Sequence, residues 1–224
     1  MLNTSKIKLI LFDKQNFESD FVRTISVEDL IKEVESKGND GIKRAFISSA
    51  NSLLFMDGGS DLGYTRSISN IEKLCKNGLK EISGLGRKYL PIGNSLGFKI
   101  PGKHYYFISC PTMFLPQKVE KTNNSYHALQ AGLEICHFLG IDEVYCPMMC
   151  TSWGCMTFEQ SLIQMKNAND NRADDGEISH DGSYIYFSRN NSKFKEIINE
   201  QPKIYPNTEF YVDIGIDVGI NLPA

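Results

Sequence analysis

Ser48–Tyr64 reads SSANSLLFMDGGSDLGY. An apolar, strand-like run, Arg44–Ala50 (RAFISSA), leads into it, and a Gly/Asp-rich loop over Phe55–Gly63 follows. Ala50 and Asn51 end the strand, where a side-chain amide can both donate to and accept from a polar ligand. Gly58 and Gly59 let the backbone come close to such a ligand and take φ > 0. Asp61 falls where the next helix should begin; it can cap that helix or accept hydrogen bonds from a sugar hydroxyl. A cap alone requires neither Asn51 nor two glycines, so a ligand loop is the better reading.

Outward from this loop, the chain alternates strand and helix patterns. Ile7–Asp13 (IKLILFD) is a short apolar run of buried-strand character, and Phe21–Ser26 is a second candidate. Val27–Lys37 places Val27, Leu30, Ile31 and Val34 at helical spacing, with Ser26 as N-cap. Ile68–Leu85 reads as a helix. Leu90–Ile100 and Tyr105–Cys110 read as strands separated by a Pro101-Gly102 turn. Ser125–Leu139 is helical, with Asn123 or Asn124 as cap and Gly140 as terminator. Glu143–Met149 (EVYCPMM) is another buried strand, and a helix lies near Thr157–Ala168. Asn169–Gly182 is polar and turn-rich, a surface excursion, and Phe210–Val218 alternates like an edge strand. The expected fold is a three-layer α/β/α sandwich with a central mixed, mainly parallel sheet.

Composition narrows the function. Of 224 residues, 41% are hydrophobic and 23% charged, with a net charge of −3. No global electrostatic attraction to nucleic acid or anionic lipid follows from that balance. No apolar run reaches the roughly 18 residues of a membrane span. The segment from Met1 to Lys8 lacks the regions of a secretory signal, so a cytoplasmic address is expected. In that compartment the six cysteines read as free thiols.

Sheets of this kind bind ligands at the carboxyl ends of their strands. Two loops there leave strands and enter helical patterns: Ala50–Asp61 and Met149–Met156. The second lies in CPMMCTSWGCM, Cys146–Met156. Small residues before a helix N-terminus make an anion cradle of backbone N–H groups.

The first loop resembles the macrodomain signature, in which a strand ends in Asn-Ala-Ala-Asn and a glycine-rich loop ends in Gly-Gly-Val-Asp. The counterparts are Ser48-Ser49-Ala50-Asn51 and Gly58-Gly59-Ser60-Asp61, at the family interval. Asn51-Ser52 and Phe55-Met56-Asp57-Gly58-Gly59-Ser60-Asp61 resemble a divergent macrodomain-like branch carrying Asn-Ser-x-x-Phe-Met-Asp-Gly-Gly-x-Asp. Ser109-Cys110-Pro111-Thr112-Met113 is similar to that branch's Ala-Pro-Thr-Met strand end, and Asn124-Ser125-Tyr126 to its Asn-x-Tyr helix opening. The motifs agree in order over roughly 44–165. The expectation is one macrodomain-like domain over 1–224, with elaborations at both ends.

The resemblance implies a ligand and roles. ADP-ribose or an ADP-ribosylated molecule would be the partner, with no cofactor and no metal. Asn51 would contact the distal ribose, Gly58 and Gly59 would pass along it, and Asp61 would sit beside its anomeric carbon. In hydrolytic members an Asn and an Asp at these positions place or activate water, which makes Asn51 and Asp61 the catalytic candidates. Their substrates would be ADP-ribosyl, O-acetyl-ADP-ribose or ADP-ribose phosphate ester linkages. The family's diphosphate loop, roughly Pro-x-x-Gly-Thr-Gly-x-Gly, has its counterpart in Pro147, Cys150, Thr151, Ser152, Trp153 and Gly154. Ser152 replaces a glycine and Trp153 is bulky; if the loop needs φ > 0 at Ser152, that residue is strained. The family's adenine-reading Asp-Ile pair has no match: Ser26 and Val27 stand in its place, with Asp13 a more distant candidate.

Other readings remain beside this one. A non-catalytic binding or structural assembly module on the same scaffold fits the same residues, because a fold does not fix its function. Cys146, Cys150 and Cys155 lack the tight pairing of a zinc site, and His104, His127, His137 and His180 lie elsewhere. Cys150 or Cys155 at a helix N-terminus would be a nucleophile if its pKa were lowered.

Overall fold

The computed structural model describes residues 7–82, 88–173, 176–181 and 183–189. The apolar run at the start forms β1 (Lys8–Asp13), and β2 (Val22–Thr24) pairs with it in parallel. Helix α1 (Val27–Ser36) begins at Ser26, whose Oγ accepts from the Asp29 amide at 3.1 Å. Its buried stripe is Val27, Leu30, Ile31 and Val34, the helical spacing that one apolar face produces. Strand β3 (Arg44–Ser48) is buried along its whole length, as a strand covered on both faces must be.

The helix expected over Ile68–Leu85 begins at Ile71, and a helix that was not expected precedes it. Helix α2 (Gly59–Ser67) starts inside the glycine-rich loop, and α3 (Ile71–Ile82) follows. The break lies at Ile68, which is extended, and Asn70, at φ 59°; Asn is among the few residues that take this region readily. Strands β4 (Ser95–Lys99) and β5 (Tyr105–Ser109) form an antiparallel hairpin across the Pro101-Gly102 turn. The residues before Ser95 that read as strand are loop. Helix α4 (Asn124–Leu139) ends at Gly140, in the left-handed conformation. Strand β6 (Glu143–Pro147) leads through the second loop to α5 (Phe158–Asp170).

The polar segment read as an excursion, Asn169–Gly182, is in part sheet. Its second half forms β7 (Gly176–Asp181), antiparallel to β8 (Tyr184–Arg189). Phe210–Val218 lies outside the described residues.

The sheet runs β2-β1-β6-β3-β5-β4-β8-β7, parallel from β2 through β5 and antiparallel from β4 outward. Side-chain alternation gives it two different faces. Phe46, Tyr145, Tyr105 and Phe107 pack with Leu30, Ile31, Val34 and Tyr64, under α1, α2 and α3. Ala45, Ile47, Ile108, Cys110, Val144 and Cys146 pack with Ala128, Leu129, Ala131 and Met165, under α4 and α5. The mixed, mainly parallel α/β/α sandwich read from the sequence is the fold. Among the described residues no helix is long and apolar enough to cross a membrane, and all six cysteines are free thiols.

Candidate functional site

The carboxyl ends of β1, β3 and β6 open on one cleft of about 410 Å³, within the size range of small-ligand sites. Both loops singled out in the sequence meet there. Asn51, Gly58, Gly59 and Asp61 line it from one side, and Cys150, Thr151, Ser152, Trp153 and Gly154 from the other. Ala50 does not line it. This residue is buried in the core, with its carbonyl accepting from the Thr112 amide at 2.9 Å and the Thr112 hydroxyl at 3.3 Å.

The Asn51 amide is engaged by its own loop. Its Oδ1 accepts from the Leu53 and Phe55 amides, at 3.1 and 3.2 Å, and its Nδ2 donates to the Phe55 carbonyl at 2.8 Å. The next segment over, Thr112-Met113, is bridged to Asn51 in parallel and pinned from below by Asn124, whose Nδ2 donates to the Thr112 carbonyl at 2.8 Å. The Pro-Thr-Met and Asn-x-Tyr landmarks therefore brace the end of β3.

Asp61 caps nothing. The cap of α2 is Gly58, with no side-chain bond, and Asp61 sits in the first turn with its carboxylate turned inward onto the Ser48 hydroxyl, which donates at 2.5 Å. Burial pushes its pKa up to about 7; the Ser48 bond acts against this, and the charges of Asp57 and Glu72 add to it. The helix N-terminus that opens on the cleft is thus that of α2, uncapped at Gly58-Gly59. The N-terminus of α5, expected to serve the second loop, is closed by a capping box between Thr157 and Gln160, and neither residue lines the cleft.

The second loop has its own geometry. Cys150 and Cys155 carry the left-handed backbone, φ 63° and 54°, and Ser152 does not. Cys150 occupies the position of the first family glycine. A Cβ on Gly154 would lie 2.5 Å from the Cys150 carbonyl oxygen, so only glycine fits there. Among the described residues, no protein acceptor takes the backbone N–H of Thr151, Ser152, Trp153 or Gly154. Trp153 is 62% exposed, and its Nε1 would lie 3.5 Å from a Cβ placed on Gly58, so the indole closes over the first loop.

The cysteine-nucleophile reading fails for Cys150: burial pushes its thiol up to about 12, which keeps it neutral. Among the described residues no group of three or more His, Cys, Asp or Glu side chains is arranged to hold a metal.

No protein-family model matches this chain, and no curated protein matches it. The chain is similar to macrodomains of known structure. The macrodomain of Mycobacterium tuberculosis DarG is 16% identical, over 56% of this chain and 80% of that one, with a TM-score of 0.48. Thermosipho africanus DarTG in complex with ADP-ribose is 14% identical, over 55% of this chain and 34% of that one, with a TM-score of 0.47. The match therefore spans about a third of the DarTG chain. The Oceanobacillus iheyensis macrodomain with MES bound is 13% identical, over 71% and 83%, with a TM-score of 0.45.

Further cleft residues escaped the sequence reading. Lys14, Gln15, Glu28, Arg66, Thr112 and Met113 also line it. Arg66 had no signal at all, since it lies a turn beyond Asp61 on a helix that does not read as one. Of the adenine candidates, Ser26 and Asp13 both reach the cleft. The Ser26 hydroxyl is engaged with Asp29 at both its donor and acceptor ends. Asp13 accepts from the Gln15 amide through Oδ1, at 2.9 Å, and its other oxygen has no protein partner among the described residues.

Proposed function

We propose that this chain is a macrodomain-like module that binds ADP-ribose, or a close derivative, in the cleft between the two loops. The observation that carries the reading is the pairing across that cleft. Four backbone N–H groups without protein acceptors among the described residues, Thr151 to Gly154, stand across the cleft from the N-terminus of α2, which no side chain caps. Two sets of N–H groups facing one space favour an anionic ligand, and a diphosphate presents oxygens to both. Asp13, with an open carboxylate oxygen at the end of β1, is the residue placed to accept from an exocyclic amine. Loss of the family Asp-Ile pair is then made good from the adjacent strand.

Isothermal titration with ADP-ribose, AMP and ribose 5-phosphate tests this. Micromolar binding of ADP-ribose, with much weaker binding of either half, is the expected result. No heat at millimolar ADP-ribose overturns the reading.

Hydrolysis is a second reading, favoured by one observation. Asp61 lines the cleft with its pKa pushed up to about 7, the range in which a general base works at neutral pH. Asn51 supports it less, because both ends of its amide already serve its own loop. Turnover of O-acetyl-ADP-ribose that vanishes in Asp61→Asn, with ADP-ribose binding retained, would establish it; binding without turnover leaves a reader of ADP-ribosylated partners.

A further inference from the structure

A second concavity, about 390 Å³, lies at the opposite end of the sheet. It is walled by the segment entering β3 and by the hairpin joining β4 to β5. Its lining includes Lys43, Lys99, Lys103, His104 and Tyr106, and no carboxylate. That is a local excess of positive charge on a protein whose net charge is −3.

The nearest carboxylates are already engaged, and mostly away from these lysines. Asp40 pairs with Arg44, at 2.7 Å. Asp142 accepts from the backbone amide of Lys43, at 2.9 Å. Glu143 is held by Lys8 and Arg44. Glu35 pairs with the lining residue Lys103 at 2.6 Å, while Asp40 and Asp142 touch the lining only through the backbone amides of Ile42 and Lys43. Lys43 gives its ammonium to a neutral acceptor, the Leu139 carbonyl at 3.2 Å, and is in no ion pair among the described residues. Lys99 has no carboxylate partner among the described residues, and the Tyr106 hydroxyl has no hydrogen-bond partner there. Gly41 and Gly102 sit on the rim at φ 86° and 73°, with no atom within 4 Å of where a Cβ would stand, so the backbone on both sides is open to a ligand.

We propose that this pocket is a second anion site, separate from the cleft, that takes a small phosphate-bearing ligand with two or more negative charges. Lys43 and Lys99, in no ion pair among the described residues, supply the positive charge, and the Tyr106 hydroxyl supplies a neutral donor. A concave wall of short reach fits a compact oligophosphate better than an extended polymer. The site does not depend on what the cleft binds.

Titration of inorganic pyrophosphate into 15N-labelled protein tests it. Shifts should appear at Gly41–Lys43 and at Lys99–Tyr106 with a dissociation constant of their own, should persist with the cleft saturated by ADP-ribose, and should weaken steeply with added salt. The double variant Lys43→Gln/Lys99→Gln should bind at least tenfold more weakly while its remaining spectrum is unchanged. The single variant Lys99→Gln, which breaks no hydrogen bond or ion pair among the described residues, should show an intermediate loss. Absence of shifts, equal binding by the double variant, or sulfate binding as tight as pyrophosphate overturns the proposal. A single-stranded oligonucleotide that binds there far more tightly than pyrophosphate overturns it as well.

Discussion

The Ser48 hydroxyl donates to the Asp61 carboxylate at 2.5 Å, and this bond ties the last residue of β3 to the first turn of α2 beneath the cleft floor. Both side chains are buried. A carboxylate in such a place is stabilised by one hydroxyl and penalised by everything else around it. The penalty has a pH signature. The folded chain holds the Asp61 proton up to about pH 7, whereas the unfolded chain releases it near the ordinary aspartate value of 3.8. Between those values the folded state binds more protons, so stability falls as pH rises, and the full cost is present above about 7. Asp61→Asn keeps an oxygen for Ser48 and removes the charge. We expect the variant to be more stable by about 2 kcal/mol at pH 8, well inside the limit set by ~1.4 kcal/mol per pKa unit, and to match the parent near pH 4. Urea denaturation at the two pH values measures this, and parallel pH profiles would mean that Asp61 does not titrate in this window.

Asn51 makes a mutational trap of the ligand question. Asn51→Ala removes the acceptor for the Leu53 and Phe55 amides and the donor to the Phe55 carbonyl together. With that turn buried, the expected loss is about 1–3 kcal/mol of stability. Binding would fall with it, whether or not Asn51 touches ligand. Asn51→Asp keeps the acceptor, and where its carboxyl is protonated it also donates to the Phe55 carbonyl, so at low pH it should retain more of the fold. Thermal denaturation of both variants, beside ADP-ribose titration of each, separates a bracing residue from a contact.

What the sequence made legible follows a physical line. Strands covered on both faces declare themselves as apolar runs, which is why Lys8–Asp13, Arg44–Ser48, Tyr105–Ser109 and Glu143–Pro147 stood out. Strand β7 did not, because an edge strand with solvent beside it can be as polar as GEISHD. Helix α2 was hidden for another reason. It buries Asp61, Gly63 and Tyr64 in place of an apolar stripe, and Gly63 is there because a Cβ would come within 2.7 Å of the Val27 Cβ on α1. At the site, residue types were readable and their commitments were not. Nothing in the string NSLLF says that Asn51 folds back on its own loop, and nothing in CTSWGC says that the left-handed backbone falls on Cys150 and not on Ser152.

Gly154 should be the least tolerant position in the second loop. A Cβ there would lie 2.5 Å from the Cys150 carbonyl oxygen, 2.8 Å from the Cys150 Cα and 2.9 Å from a Val119 methyl. Two of the three obstacles are backbone or its carbon, so the loop itself must move, and the Gly154 carbonyl that accepts from the Val119 amide at 2.8 Å moves with it. Gly154→Ala is expected to cost about 1–3 kcal/mol and to lower ADP-ribose affinity at least tenfold. Gly38→Ala is the control. Its φ of 61° brings a strain of roughly 1–2 kcal/mol, but there is open space around it, and it lies outside the cleft. Comparable stability loss with retained affinity in Gly38→Ala would assign the effect at Gly154 to the shape of the loop.

Trp153 offers a readout that needs no substitution. It is the sole tryptophan of the chain, it is 62% exposed, and its indole edge closes over Gly58 at the cleft mouth. A ligand entering between the two loops must either slide beneath the ring or push it aside, and in both cases the water around the indole changes. Titration with ADP-ribose should therefore shift or quench the emission, saturating with the dissociation constant found by calorimetry. Trp153→Phe keeps an aromatic cover and is expected to lose less than tenfold in affinity, while Trp153→Ala removes the cover and should mainly speed ligand release. Stopped-flow dissociation rates of the two variants, followed by displacement of a fluorescent nucleotide analogue, would measure that difference. Equal rates in all three proteins would mean that the indole stands beside the path of the ligand and does not cover it.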